Sequence, residues 1–398
     1  MTVVPPSDII TFKVGGRCFT TTKATVRSSG AHYFQLASFG PTSMPRAVSC
    51  ENSSENSSPC TDSKDQRVAK KRRLEDAKNG VDCSASDGTE STIFIDRNPD
   101  VFHYVLDFMR SNSLHPDVVE DPKLLKLLKR EAKFFIYDSL LTACEGYLQT
   151  YVGEVALAMK RISDRSRGSE GAKESLIEQG AFSSVLNTMR EFSDSIPVQK
   201  ECCRALSNLL CSSSTTEEGG DDCLASLVGS SMGGIELLLK TLTQFPSKRL
   251  VQERSLTALG VLTAASKENR DLITELGGHR TLLGFMSKYP GETELLRGIC
   301  VVLGNLTFDK DTAAAVVKEG LIPLVAGAIN RHRAERLSSE GLLSHGCRTL
   351  RNLARWAEYH AAIEESGGIP VLEAFRETEP LAREALECLL GHRAEVLK

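Results

Sequence analysis

The sequence predicts an α+β domain at the N-terminus followed by an all-α superhelical solenoid. Three features of the sequence lead to this fold class. Apolar and polar residues alternate near the N-terminus, and a glycine-led helical unit recurs about five times from residue 153 onwards. A polar stretch at 40–90 separates the two halves of the N-terminal domain. Alternation is typical of strands, and units that recur at intervals of about 40 residues are typical of stacked helices.

The first predicted element is a β-hairpin. Apolar residues alternate with polar ones from Ile10 to Val14, and Phe19 begins a return strand. Gly15 and Gly16 lie between the two strands, and glycine adopts the positive φ angles that a tight hairpin turn requires. The sequence therefore predicts an antiparallel pair of strands with a two-residue turn.

A third strand and three helices are predicted to complete the N-terminal domain. The strand is expected at 92–96. Asn98 can cap a helix and Pro99 fits the first helical turn, so a helix should begin there. Pro122 opens another helix, and a long helix over 138–162 should lead into the repeats without a flexible linker.

The stretch 40–90 is predicted to be a disordered insertion within the N-terminal domain. It is rich in Ser, Asn, Asp and Lys. It contains too few large apolar residues to offset the conformational entropy that ordering would cost. The N-terminal domain is therefore expected to comprise 1–39 and 91–150.

The insertion contains a compact basic cluster that resembles a nuclear-import signal. An extended chain can present successive cationic side chains to an acidic groove. The alternatives are a solvated charge run, balanced by Glu75 and Asp76, and contact with phosphate or nucleic acid. The cluster consists of Lys70, Lys71, Arg72 and Arg73.

The C-terminal part, 151–398, contains the recurring helical unit. Unit starts are separated by roughly 43 to 53 residues, in the range of helical solenoids. Two charged stretches, 211–222 and 331–341, are predicted to be loops that interrupt the period. The glycines that start the units are Gly180, Gly233, Gly277, Gly320 and Gly367.

Composition limits the class of protein. The net charge of −4 argues against attraction of the whole chain to nucleic acid or an anionic membrane. No apolar run reaches the length of about 18 residues that a transmembrane helix needs, and the N-terminus lacks the pattern of a secretory signal. The 12 cysteines show no framework spacing and are expected to be reduced, including the adjacent Cys202 and Cys203. We expect a cytoplasmic or nuclear protein.

Four blocks of residues, in this order, carry a resemblance to a known family of domains. They are Val14-Gly-Gly-Arg-Cys-Phe-Thr, Phe94-Ile-Asp-Arg-Asn-Pro-Asp-Val-Phe, Leu114-His-Pro and Leu127-Leu-Lys-Arg-Glu-Ala-Lys-Phe-Phe. On these blocks, 8–22 and 91–145 resemble the potassium-channel-tetramerisation (T1) type of BTB/POZ domain. The motif residues of that family correspond here to Gly15, Gly16, Phe19, Asp96, Arg97 and Phe102.

This resemblance implies self-association into a homo-oligomeric ring, a tetramer or a pentamer. For soluble members it also implies docking on a cullin-3 ubiquitin-ligase scaffold. Ile136 stands where the family usually has Gly. The His/Cys cluster that binds zinc between subunits in some channel domains is missing from the sequence, so we expect no zinc-linked ring.

The recurring unit resembles an armadillo repeat. In 365–375 the glycine pair Gly367-Gly368 is predicted to end one helix and turn the chain with positive φ angles, and Pro370 follows at the start of a new helix. The long helices carry a Leu-x-Asn-Leu core, as in Leu350-Arg-Asn-Leu. The complete prediction is a T1-type BTB/POZ domain followed by an armadillo-type superhelical solenoid, and the armadillo resemblance covers about 240 residues.

In armadillo proteins, asparagines of the long helices clamp the backbone of an extended peptide. That role is carried over only to Asn208, Asn305 and Asn352, because Val261 and Cys388 stand at the other two positions. Cationic residues lie four and about eight residues earlier, on roughly the same helical face. The predicted peptide-binding residues are Lys200, Arg204, Asn208, Arg254, Arg297, Asn305, Arg348, Asn352 and Arg355.

A groove lined by arginine favours an acidic or phosphorylated client peptide, because guanidinium groups pair with carboxylates and phosphates. The tryptophans that precede these asparagines in import receptors are replaced by Arg204, Val301 and Arg348. In the alternative interpretation, the asparagines bond neighbouring helical turns and the arginines are solvated.

No catalytic, cofactor-binding or metal-binding motif is present, and His103 is most simply structural. We expect a non-enzymatic adaptor that self-associates and recruits a client. The alternative is an oligomeric scaffold or transport-type binding protein without a role in ubiquitin ligation.

Overall fold

The computed structural model describes residues 8–39, 91–211, 224–333 and 336–396. The chain divides into two compact units, Met1–Tyr151 and Val152–Lys398. The predicted disordered insertion, with its basic cluster, lies outside the described residues, as do residues 212–222 of the first predicted loop.

The N-terminal unit combines a three-stranded sheet with helices. The sheet has the order β2-β1-β3, in which β1 pairs antiparallel with β2 and parallel with β3. Its described elements are β1 (Ile9–Val14), β2 (Arg17–Thr22), α1 (Lys23–Ser28), α2 (His32–Phe39), β3 (Ser91–Ile95), α3 (Pro99–Ser111), α4 (Pro116–Glu120), α5 (Pro122–Phe134) and the first part of α6 (Asp138–Arg165).

The hairpin forms as predicted. Val14 pairs with Arg17 across a two-residue turn, and Gly15 and Gly16 have φ angles of +49° and +86°. A Cβ atom at Gly15 would lie 2.8 Å from the carbonyl oxygen of Arg97, whereas a Cβ at Gly16 would meet nothing within 4 Å. Close packing therefore requires glycine at the first of the two positions.

The buried face of β1 forms the centre of the core. Ile10, Phe12 and Val14 are fully buried, which confirms the alternation expected of a strand with one face inside. Phe12 packs edge-on against Phe34 and Phe102, with ring centroids 5.2 and 5.8 Å apart. Burial of each large apolar side chain stabilises the fold by roughly 1.5–3 kcal/mol.

The predicted helix starts of this unit are also present. The side chain of Asn98 accepts a hydrogen bond from the backbone N–H of Asp100 at 2.9 Å and caps α3. Asp121 caps α5 in the same way, through the N–H of Lys123 at 2.8 Å. After α5, Ile136 has a φ angle of +50°, a conformation that glycine adopts without strain.

The C-terminal unit is largely helical. Among its described residues, after the end of α6, the helices are α7 (Glu170–Glu178), α8 (Ala181–Glu191), α9 (Ile196–Leu210), α10 (Gly234–Gln244), α11 (Arg249–Ala265), α12 (Lys267–Glu275), α13 (Gly278–Lys288), α14 (Thr293–Leu306), α15 (Lys310–Lys318), α16 (Leu321–His332), α17 (Arg336–Ala354), α18 (His360–Glu365), α19 (Gly368–Glu373) and α20 (Pro380–Val396). A π-helical turn, Leu227–Ser231, precedes α10.

Each long helix packs against the next long helix in the sequence. The pairs are α9 with α11, α11 with α14, α14 with α17, and α17 with α20. The five glycines that precede α8, α10, α13, α16 and α19 all have φ angles between +72° and +92°. The glycine-led unit starts predicted from the sequence are therefore turns in the left-handed region.

Two details differ from the sequence prediction. The stretch 331–341 was expected to be a loop, but α16 extends to His332 and α17 begins at Arg336. Residues 331–340 contain neither Gly nor Pro and have adequate helix propensity, so their charge did not indicate a loop. In addition, only Gly367 of the Gly367-Gly368 pair has a positive φ angle, and Gly368 is the first residue of α19.

Within the described residues, no single helix is both long and apolar enough to cross a membrane. Two consecutive helices are long and apolar enough only if they are counted as one span. The pair consists of α15 and α16, which are bent by 75° relative to each other.

Candidate interaction groove

A cavity of about 570 Å³ lies across α11, α14 and α17, at the end of α9. Three of the predicted peptide-binding residues line it, namely Arg297, Asn305 and Arg348. The remaining six predicted residues do not belong to its lining: Lys200, Arg204, Asn208, Arg254, Asn352 and Arg355. The structure therefore brings together one part of the predicted set.

The floor of the cavity is apolar and contains two glycines at close helix contacts. Val261 and Val301 contribute partly exposed apolar side chains, whereas Leu256 is fully buried. Gly260 and Gly298 allow the helices to approach closely, because a Cβ atom at Gly260 would lie 2.9 Å from Val301 and one at Gly298 would lie 3.0 Å from Leu256. The two glycines therefore bring α11 and α14 into close contact at the cavity.

Three asparagines connect successive long helices. The Nδ2 atom of Asn208 donates to the backbone oxygen of Ser163 at 3.1 Å, and that of Asn305 donates to Gly260 at 3.0 Å. The Nδ2 atom of Asn352 donates to the backbone oxygen of Gly304 at 2.9 Å. This arrangement agrees with the alternative in which these amides bond neighbouring turns, and their role in holding a peptide stays a prediction.

Several of the predicted cationic residues are paired within the chain. Arg204 lies 2.6 Å from Asp164, and Lys200 lies 2.9 Å from Glu201. Arg297, which lines the cavity, lies 2.9 Å from Glu294. Their charges are compensated, so their contribution to ligand binding is reduced.

Arg254 and Arg355 lie outside the cavity on exposed positions. The guanidinium carbon of Arg355 is 5.7 Å from the centroid of the Phe308 ring, within the range of a cation–π contact. Arg270 approaches the same ring at 5.6 Å. These contacts place Arg355 beside an exposed aromatic residue.

Arg348 has a different environment from Arg297. Its Nη2 atom donates to the backbone oxygen of Val301 at 3.3 Å and to Oδ1 of Asn305 at 3.2 Å, both neutral acceptors. Its Nε atom is buried and has no hydrogen-bond partner among the described residues. Burial lowers the pKa of Arg348, and the positive charge of Arg351 lowers it further.

The sequence did not predict that two glutamates and a histidine line the cavity, namely Glu253, Glu294 and His345. Both glutamates are half-buried residues in the N-terminal parts of α11 and α14, but nothing in the sequence indicates that they face the same cavity. Burial lowers the pKa of His345, and Arg348 and Arg297 add to this effect. The neutral imidazole is therefore the favoured form near neutral pH.

The motif residues of the N-terminal unit have mainly structural contacts. Phe19 packs against Phe102 with ring centroids 5.0 Å apart. Arg97 forms a bidentate pair with the buried Glu131 at 2.9 and 2.7 Å, and it also lies over the Phe134 ring. Sequence reasoning missed Glu131 as the partner of Arg97. Asp96 is exposed.

Other groups singled out from the sequence lie outside the cavity lining. Cys202 and Cys203 are free and buried, and burial raises the pKa of the Cys203 thiol to about 12. His103 is exposed and lies against the Tyr104 ring. The described residues contain no cluster of His, Cys, Asp or Glu that could hold a metal ion.

Comparison with known families identifies the class of the N-terminal part. Residues 62–144 match the family of the BTB/POZ domain. The chain therefore combines a BTB/POZ domain of the T1 type with a largely helical C-terminal region. Domains of this family are protein–protein interaction modules and commonly self-associate into oligomers.

The matched range covers the second motif-bearing half of the domain and begins inside the insertion, at residue 62. No curated protein matched the chain.

Proposed function

We propose that this protein is a non-enzymatic adaptor. Its BTB/POZ domain assembles copies of the chain into a ring of four or five, and its helical region recruits a client. The match of residues 62–144 to the BTB/POZ family carries this proposal, because that family consists of interaction and oligomerisation modules. The cavity across α11, α14 and α17 supports the second part.

The helical region is proposed to be an armadillo-type solenoid. Three observations support this architecture: the left-handed glycine before each of five helices, the packing of each long helix on the next, and the asparagines that connect them. Stacked units of this kind place equivalent helical faces side by side and create an extended binding surface. The cavity lies on such a row of long helices.

The client is proposed to bind as an extended segment with acidic or phosphorylated side chains. Assembly into a ring would multiply weak contacts into avidity. If the BTB/POZ domain also holds a cullin-3 scaffold, the client would be held beside the ubiquitin donor at a high local concentration. The protein would then promote a reaction by proximity alone.

Filling the cavity tests client recruitment. Ala264 is exposed and lines the cavity, so Ala264→Trp should block it without disturbing the core. Ala361 is exposed on α18 and does not line the cavity, so Ala361→Trp is the matched control. Quantitative affinity mass spectrometry on the full chain should show clients that are retained by the control and lost from Ala264→Trp. If the wild-type chain and both variants capture the same clients, recruitment through this groove is contradicted.

Cullin docking is tested separately by copurification. The full chain should retain cullin-3 when both proteins are expressed in the same cells. Good expression without retained cullin-3, together with intact client capture, would favour the oligomeric scaffold or transport-type protein.

The basic cluster is proposed to act as a nuclear-import signal and lies outside the described residues. Replacement of Lys70, Lys71, Arg72 and Arg73 by Ala should move a fluorescently tagged chain from the nucleus to the cytoplasm. An unchanged distribution would show that the cluster is not used for import.

A further inference from the structure

Arg348 is the arginine of the cavity lining without a carboxylate partner among the described residues. The other arginine of the lining, Arg297, lies 2.9 Å from Glu294. Both arginines face the same cavity and differ in whether their charge is compensated. Arg348 can therefore pair with an incoming anion, whereas Arg297 is already paired with a carboxylate of the same chain.

The contacts of Arg348 hold its guanidinium in position but leave its charge unbalanced. The carbonyl of Val301 and the amide oxygen of Asn305 are neutral acceptors at 3.3 and 3.2 Å. The buried Nε atom has no partner among the described residues. Removing a charge from water without a counter-ion is costly, so an arriving anion would gain more here than at an exposed arginine.

Two further features limit the kind of ligand. The floor beside Arg348 carries the partly exposed apolar side chains of Val261 and Val301. Glu253 and Glu294 line the same cavity and would repel a polyanion such as nucleic acid, which binds through many cations at once. A single anionic group next to an apolar group satisfies both features.

We propose that the cavity binds a client segment in which an acidic side chain, a carboxylate or a phosphate, lies next to a bulky apolar side chain. The anion pairs with Arg348, and the apolar side chain lies on the floor formed by Val261 and Val301. This inference rests on the proposed recruitment of a client by the same groove. Arg348 recognises the anion, and the other arginines that were predicted to bind the peptide do not.

The test uses the full chain and four pools of fluorescent decapeptides with random flanks. The pools share a central Leu-Gly-X, in which X is Asp, phosphoserine, Asn or Lys. We expect the wild-type chain to bind the Asp and phosphoserine pools at least about tenfold more tightly than the Asn pool, measured by fluorescence anisotropy. The Asp and phosphoserine arms distinguish the two sources of the anion.

Three variants assign the preference to one residue. Arg348→Gln should remove the difference between the anionic pools and the Asn pool. Arg383→Gln, at an exposed arginine of α20 outside the cavity lining, is the control and should preserve it. Because Arg348→Gln also loses the hydrogen bonds to Val301 and Asn305, circular dichroism should confirm that it is folded, and Arg348→Lys, which keeps the positive charge, should retain an anion preference that Arg348→Gln lacks.

The remaining outcomes are also decisive. Equal binding of all four pools, or an anion preference that survives in Arg348→Gln, overturns the proposal. Binding of inorganic phosphate at Arg348 without any preference among the pools also overturns it, because the ligand would then be a free anion. If Ala264→Trp still abolishes client capture in any of these cases, the adaptor function stands and the anion site alone fails.

Discussion

Three asparagines have the same role at equivalent positions of successive long helices. Each donates its amide N–H to a backbone oxygen of the preceding long helix, at distances of 2.9 to 3.1 Å. Their spacing was evident from the sequence, but their partners were not. An asparagine can serve a peptide or a neighbouring helix equally well, and which carbonyl lies opposite depends on how the helices pack.

Asn352 gives a prediction at this scale. It is buried, and its Nδ2 atom donates to Gly304 at 2.9 Å. Asn352→Ala removes this hydrogen bond, while the Gly304 oxygen keeps the bond from the Thr307 hydroxyl at 2.8 Å, so the free energy of unfolding should fall by roughly 0.5–1.5 kcal/mol. Asn187→Ala, at an exposed position on α8, should change it by less than about 0.5 kcal/mol. Equal stability of the two variants in urea denaturation would contradict a structural role.

His279 gives a prediction about pH. It is 3% exposed, and burial, followed by the charge of Arg280, lowers the pKa of its imidazole, while Glu319 opposes this. The fold therefore favours the neutral ring, whereas the unfolded chain takes up a proton near pH 6.5. Stability is complete above that pH and is lost as the pH falls below it.

The measurement is the melting temperature at about pH 7.5 and about pH 5.5. The difference between the two values should be smaller in His279→Gln than in the wild-type chain. His103→Gln, at an exposed position, should keep the wild-type difference. A full wild-type difference in His279→Gln would show that other groups cause the acid sensitivity.

At the scale of elements, local signals determined the turns and helix starts. The Gly15-Gly16 hairpin, the Asn98 cap and the glycine-led turns depend on neighbouring residues alone, so the sequence predicted them. The helices around 331–341 were missed because a dense run of charge was interpreted as a loop, although charged residues such as Arg and Glu are good helix formers.

The hairpin turn allows a paired test. Gly15→Ala and Gly16→Ala both place a side chain at a positive φ angle, which costs about 1 kcal/mol or more. Only the first also brings a Cβ atom within 2.8 Å of the Arg97 carbonyl. Gly15→Ala should therefore lower the melting temperature more than Gly16→Ala does in differential scanning calorimetry. A lower melting temperature for Gly16→Ala than for Gly15→Ala would contradict the close approach of the Arg97 carbonyl to Gly15.

At the scale of the whole molecule, two units with different fold classes lie in one chain. The sequence predicted the α+β part and the helical part because their apolar periods differ, and the BTB/POZ motifs were separated but complete enough to identify. The cavity lining could not be predicted in full. Glu253, Glu294 and His345 come from three helices, and only their packing places them together.

We propose that copies of this chain assemble through the BTB/POZ domain and present several client-binding grooves at once. Native mass spectrometry of the full chain measures this assembly. We expect four or five chains of 43.4 kDa each. A single 43.4 kDa chain at a protein concentration of about 10 µM would contradict it.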